Sequence, residues 1–319
     1  MPCAGKRKTP LSSVSTSIVL PLFGIMFAGY LAGRFGILAE GGSAVLSRFV
    51  FTVSLPALIF VSLSRVPVGE FFHWPFLGAL GGGMLAIFCI SLVVARLAFR
   101  DSLTALGLHG LTAMFSSTAY IGLPVILVVF GDAGLVPGII GAVITGAVFL
   151  PLAIILAEID KGRDSGMTMA PLIAVFRNPL LLSTAAGLMV SAAGIAIPAP
   201  IATFCELLGG AFIPCALFAA GLFIAGCSVK GEVAEIGWLV FAKLLLHPLI
   251  TWWLAYRVFE LEGILPAIAV VQAALPSGVP VFVLAQQYNT FVTRSSAVIV
   301  VSTALSLFTL SALLVLLER

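Results

Sequence analysis

The run Phe115-Ser116-Ser117-Thr118-Ala119-Tyr120-Ile121-Gly122-Leu123-Pro124 lies inside a long apolar stretch and breaks it. Pro124 has no N–H to give the carbonyl of Tyr120, and its ring clashes with that carbonyl. Gly122 loosens the same turn. A second run, Gln272-Ala273-Ala274-Leu275-Pro276-Ser277-Gly278-Val279-Pro280, does the same towards the other end of the chain. There Pro280 frees the carbonyl of Pro276, and Pro276 frees that of Gln272. Two helices broken this way, each beside hydroxyl or amide side chains, govern how the rest of the sequence reads.

The surroundings are apolar. Of 319 residues, 61% are hydrophobic and 9% are charged, whereas soluble domains carry about a quarter charged residues. So few charges cannot cover a soluble surface, and a disordered chain would have the reverse composition. Apolar runs of helical length favour helices over an outer-membrane barrel, whose strands alternate at every second residue. The expected class is an all-α polytopic membrane protein. A formal net charge of +3 is too small to point to nucleic acid. The five cysteines, Cys3, Cys89, Cys205, Cys215 and Cys227, form no CxxC pair. They read as small buried hydrophobes, and no metal, redox site or cofactor is expected. Lys6, Arg7 and Lys8 could open a signal peptide, but no convincing cleavage site follows, so they read as a short tail before the first helix.

A crossing helix needs about 20 apolar residues. Ten spans are expected, near 14–33, 44–63, 76–95, 103–130, 135–157, 179–197, 205–228, 237–258, 264–287 and 294–316. Loops after the odd-numbered spans hold 10 of the 16 Lys and Arg, Lys243 counted among them, and the other side holds 6. The positive-inside rule then places both termini on the non-cytoplasmic side of a cell (inner or plasma) membrane, with the basic tail as contrary evidence.

The two halves repeat. Pro21 matches Pro179, Pro56 matches Pro214 and Thr145 matches Thr303, each 158 residues on. Gly122-Leu123-Pro124-Val125 matches Gly278-Val279-Pro280-Val281, 156 residues on. Each half, 1–165 and 166–319, holds five spans. An odd number forces the second half to enter the membrane the other way, giving an inverted-topology repeat of the kind secondary transporters use.

In hydrocarbon an unsatisfied backbone group costs several kcal/mol, so the broken turns must lie beside protein, water or a ligand. Paired breaks at matching repeat positions predict a midplane binding site, with half-helix N-termini offering N–H groups to an anion. The competing reading is two ordinary proline kinks repaired by neighbouring helices. The expected contact residues are Ser116, Ser117, Thr118, Tyr120, Gln272 and Ser277, with Gly122, Pro124, Pro276, Gly278 and Pro280 shaping the backbone. His109, Thr112, Ser116 and Tyr120 share one helical face, which could equally be an interhelical hydrogen-bond stripe. Lys243 and His247, four apart in the eighth span, are candidates for coupling or gating. Lys243 could instead snorkel from near the cytoplasmic end. His109 and Gln286 are further coupling or gating candidates. Asp132 and Glu206 read as interfacial. No P-loop, HExxH or GxSxG motif occurs, and three histidines without matching acids make no enzyme site.

Leu55-Pro56-Ala57-Leu58-Ile59-Phe60, Tyr120-Ile121-Gly122-Leu123-Pro124 and the segment from Pro276 through Phe282-Val283-Leu284-Ala285-Gln286-Gln287-Tyr288 resemble motifs of the auxin efflux carrier family. The resemblance covers essentially the whole chain. It implies ten helices with outward termini and a bile-acid-transporter-like inverted repeat. It implies a dimerising scaffold of spans 1, 2, 6 and 7, and a mobile domain of spans 3–5 and 8–10, with spans 4 and 9 crossing at the site. It also implies elevator-type transport of organic anions such as malonate, malate or auxin. Where family members usually carry an asparagine in each broken helix, this chain has Ser117 and Pro280. The expected function is thus a secondary carrier of a small organic anion. The alternatives are a receptor or scaffold that binds without transport, a cation-coupled symporter of a neutral solute, and an ion channel, which the lack of a charged ring disfavours.

Overall fold

The structure is a computed structural model that describes residues 11–38, 41–99, 102–149, 151–152, 154–156, 159–160, 178–227 and 233–317. The basic tail, most of the polar 158–177 linker and Lys230 lie outside the described residues. Among the described residues the chain is helical. The helices are α1 (Leu11–Arg34), α2 (Gly42–Leu63), α3 (Trp74–Phe99), α4 (Leu103–Met114), α5 (118–130), α6 (135–149), α7 (Pro179–Ala192), α8 (Ala199–Gly226), α9 (Val233–Val258), α10 (Leu265–Ala274), α11 (Val279–Gln287) and α12 (Val292–Leu317). Six described helical stretches are long and apolar enough to cross a membrane. One of them, Thr118–Ile144, folds back on itself. Gly131 takes φ 63°, open to glycine, and starts a tight turn at Gly131–Gly134. Beyond it Gly134 packs on Ile126 and Gly138 on Leu123, so α5 and α6 run antiparallel.

Local chemistry sets the ends. Ser102 Oγ accepts from Ala105 N, and Asp160 Oδ2 accepts from Thr104 N at 2.9 Å, so two side chains cap α4. Asn178 caps α7 through Leu180 N, ahead of Pro179 at the first helical position. The seventh expected span begins six residues early, at Ala199, because Pro198 and Pro200 suit a helix start. Glu206 therefore lies within α8, half-exposed, and accepts from Arg65 Nη2 at 2.6 Å. Asp132 is exposed in the tight turn.

In three helices the described residues show a widened π turn whose closing N–H belongs to the residue just before a proline. Leu55 N donates to Val50 O before Pro56, Leu123 N to Thr118 O before Pro124, and His247 N to Ala242 O before Pro248. The proline ring pushes away the carbonyl four residues back, and the preceding N–H reaches one residue further.

The helices pack in two groups. In one, α1 lies along α8, and α2 packs on α7 and α8. The α1–α8 approach is close enough that a Cβ on Gly221 would stand 1.9 Å from Met26 O, which is small-residue packing of the membrane type. In the other, α3 packs on α4, α9 and α10, while α12 packs on α9, α10 and α11. The broken segments α4–α5 and α10–α11 meet inside this second group.

Candidate functional site

The two breaks face each other. Ser116 and Ser277 form an antiparallel bridge closed by two backbone bonds. Ser117 N donates to Pro276 O at 2.9 Å, and Gly278 N donates to Phe115 O at 3.0 Å. The carbonyl that Pro280 cannot use is thus satisfied by the other broken helix, as buried backbone requires. Ser117 O in turn accepts from Ile121 N and Gly122 N, closing the first turn of α5. The helices enter the crossing from both sides. Met114 and Ala274 end one pair of half-helices, and Thr118 and Val279 begin the other.

On the N-terminal side of the crossing lies a pocket of about 80 Å³, lined by Ser116, Ser117, Thr118, Ala119, Tyr120, Thr145, Asn178 and Pro280 among others. A volume of that order holds several waters or a small polar solute. Most N–H groups at the start of α5 are already paired, Thr118 N with Ser116 O and both Ile121 N and Gly122 N with Ser117 O, so what the helix start brings to this pocket is the positive end of its dipole together with side-chain hydroxyls. Phe51 and Tyr120, whose rings meet edge-to-face at 5.0 Å, also line a second cavity of about 790 Å³, as does Pro280. That larger space is bounded by α2 and α11, including Ser47, Arg48, Gln286 and Gln287. It forms a vestibule next to the small pocket.

On the C-terminal side lies Lys243. Its side chain has no exposure. Nζ donates to Ser116 Oγ at 2.6 Å and to Ala273 O at 2.9 Å, lies 3.0 Å from His247 Nδ1, and is 3.5 Å from Met114 O. The sequence allowed it to snorkel from the cytoplasmic end, and counted it there. The structure corrects that reading: the lysine sits in the π turn Ala242–Leu246 and reaches the crossing. Without it, the basic count for that side falls to 9 against 6.

The other predicted residues separate. Ser277 is buried behind the bridge, where its Oγ donates to Thr112 O at 3.0 Å and its N–H to Ser302 Oγ at 3.2 Å. Gln272 points at α6: its Nε2 donates to Pro137 O at 2.9 Å, and its amide lies flat on Gly141. His109, on the same face as Ser116 by periodicity, ends between Phe99 and Phe291, with Nε2 3.9 Å from Glu235 Oε1. That buried carboxylate accepts from Arg294 Nη1 at 3.0 Å. Gly122 packs on Leu275 and Gly278 on Phe115, so both glycines hold the broken helices close. Pro124 is buried, and Gln286 is exposed in the vestibule.

Asn178, Phe51 and Glu235 were not singled out by sequence. Asn178 carried a signal, the Asn-Pro pair of a capped helix start. Phe51 and Glu235 carried none, since their roles depend on which helices meet.

Comparison with known proteins follows the same lines. Residues 14–314 match the profile of the family described as "Membrane transport protein". A "Putative malonate transporter" of Rhizobium meliloti (strain 1021) is 32% identical over 95% of this chain and 96% of that protein. An "Uncharacterized transporter" of Methanothermobacter thermautotrophicus is 30% identical over 93% of this chain and 96% of its own length. The rice "Probable auxin efflux carrier component 1b" is 34% identical over 39% of this chain and 24% of its length.

Proposed function

From the premise that the chain belongs to the membrane transport protein family, that of the auxin efflux carriers, we propose that it is a secondary carrier of a small organic anion, with a small dicarboxylate as the leading substrate. The observation that carries this is the pocket of about 80 Å³ at the positive end of α5, lined by the neutral polar residues Ser116, Ser117, Thr118, Tyr120, Thr145 and Asn178. An anion is held there by dipoles, and the small volume favours a short carboxylate over an indole-sized one. The name of the Rhizobium relative agrees with that class.

In this reading the helices make ten crossings, as two inverted five-helix repeats. Matching side chains support the repeat: Thr145 Oγ1 donates to Gly141 O, and Thr303 Oγ1 donates to Ile299 O, both at 2.6 Å and both four residues back. The group built on α1, α2, α7 and α8 is the scaffold through which a homodimer forms. The group holding both breaks moves against it as an elevator. With basic loops inside, the vestibule beside Arg48 and Gln286 opens to the cytoplasm of an inner or plasma membrane.

Counterflow in proteoliposomes tests this. Vesicles loaded with unlabelled malonate should accumulate labelled malonate, malate should compete, and indole-3-acetate should compete poorly. Malonate binding without exchange would establish the receptor reading instead. Single-channel currents would establish a channel.

A further inference from the structure

Lys243 has a coordination sphere that the carrier reading leaves unused. Its Nζ has three donors. It meets three close neutral acceptors: Ser116 Oγ at 2.6 Å from the first broken helix, Ala273 O at 2.9 Å from the second, and His247 Nδ1 at 3.0 Å from its own. With Lys243 as the donor, Nδ1 is the acceptor of this contact. Met114 O stands at 3.5 Å as a fourth oxygen. No acidic group is among these partners.

The surroundings are of the kind that stabilises a positive charge at Nζ. Met114 and Ala274 are the last residues of α4 and α10, so Nζ lies at the C-terminal ends of two half-helices. Each such end carries about half an elementary negative charge. Two of them together match about the one positive charge of an ammonium. Burying a charge in a low-dielectric interior costs several kcal/mol unless it is compensated, and this geometry offers compensation from two helix ends and from the neutral side chains of Ser116 and His247.

Carbonyls of unwound helices and half-helix C-terminal ends are the ligands with which transporters hold a coupling sodium. Hard cations take oxygen ligands of this type. Here an amine tethered to α9 already fills the position. We propose that Lys243 is a built-in cation at the crossing, standing where a co-transported sodium would otherwise be needed, so that the carrier binds and exchanges its anion without sodium. Its charge reaches the pocket through Ser116, whose hydroxyl takes the lysine bond and which is among the pocket-lining residues. The role given to anion exchange rests on the carrier reading. The occupancy of the crossing by a cation does not.

Two measurements on the purified full chain test it. In detergent, the thermal midpoint of the wild type should be the same in sodium, potassium and choline chloride. Lys243→Ala should lower the midpoint, and methylammonium or sodium should restore it, while tetramethylammonium, too bulky for the site, should not. Lys243→Met, which keeps the apolar stem and fills the space, should be lowered and not restored. In proteoliposomes, malonate exchange by the wild type should be independent of sodium, and Lys243→Ala should lose at least about tenfold, recovered by methylammonium. A wild type that needs sodium, or an alanine variant that no cation restores, overturns the proposal. Should neither variant fold, the sodium response of the wild type decides alone. A wild type that exchanges no anion refutes the carrier reading, and the midpoint series still decides on Lys243.

Discussion

Gly141→Ala should destabilise the protein, and the same substitution should stabilise it once Gln272 is alanine. A Cβ at Gly141 would stand 1.5 Å from Gln272 Oε1 and 2.5 Å from its Cδ. Gln272 has no exposure, so its amide has nowhere solvated to go. Displacing it breaks the bond of Nε2 to Pro137 O, and a buried amide left unpaired costs about 1–3 kcal/mol. Overpacking at the α6–α10 contact adds about 1–3 kcal/mol. Against this stands the helix-propensity gain of Gly to Ala, about 1 kcal/mol. The single variant should therefore lose about 1–5 kcal/mol. In a Gln272→Ala background the clash and the lost bond vanish and only the gain of about 1 kcal/mol remains. The assay is thermal unfolding in detergent of the four proteins of the cycle, with malonate exchange as a check that each is folded. The sign change is the diagnostic. A stabilising Gly141→Ala in the wild type, or equal losses in both backgrounds, would refute the packing argument.

Other outcomes follow from the same geometry. Ser117→Ala, which deletes a pocket hydroxyl while keeping the backbone bond to Pro276, should weaken malonate exchange while thermal stability changes little. Ser277→Ala should instead lower the unfolding free energy by about 1 kcal/mol through the lost bond to Thr112 O, with exchange reduced only as far as the crossing loosens. Arg65→Ala should change stability by less than about 1 kcal/mol and leave exchange intact, since its pair with Glu206 is half-exposed. Asp160→Ala should cost about 1 kcal/mol of unfolding free energy, read as a lower thermal midpoint, because it uncaps α4 at Thr104.

The proline breaks were legible in the sequence because their chemistry is local: a missing N–H and a clash depend on one residue and its own helix. The hydroxyls Ser116 to Thr118 were placed at the crossing by the same token. What the sequence hid was direction. Ser277 and Gln272 flank the second break, yet one turns back to Thr112 O and the other to Pro137 O, each a carbonyl on a helix remote in sequence. His109 shares a helical face with Ser116, but the break at Phe115 ends that periodicity, and Glu235 and Arg294 arrive from α9 and α12 to form its surroundings. Lys243 read either as a coupling or gating candidate within the eighth span or as a lysine snorkelling to the cytoplasmic end, because its position near a span end allows both. Its burial is intelligible only once two half-helix C-termini are seen to converge on it.

The π turn that holds Lys243 has a consequence for register. A helix advances about 100° per residue, and each π turn inserts one extra residue into that count. Along α9, side chains before Ala242 and those from His247 to Trp253, ahead of a second π turn at Leu254–Val258, therefore obey two phases offset by a full residue step. Any periodicity window laid across Pro248 averages the two and blurs both faces. Deleting one residue within Ala242–Leu246 would bring the phases into line, a lesion that leaves composition and hydropathy almost untouched. It would swing one end of α9 by about 100° relative to the other, so that either the lysine leaves the crossing or Trp252 and Trp253 leave their present faces.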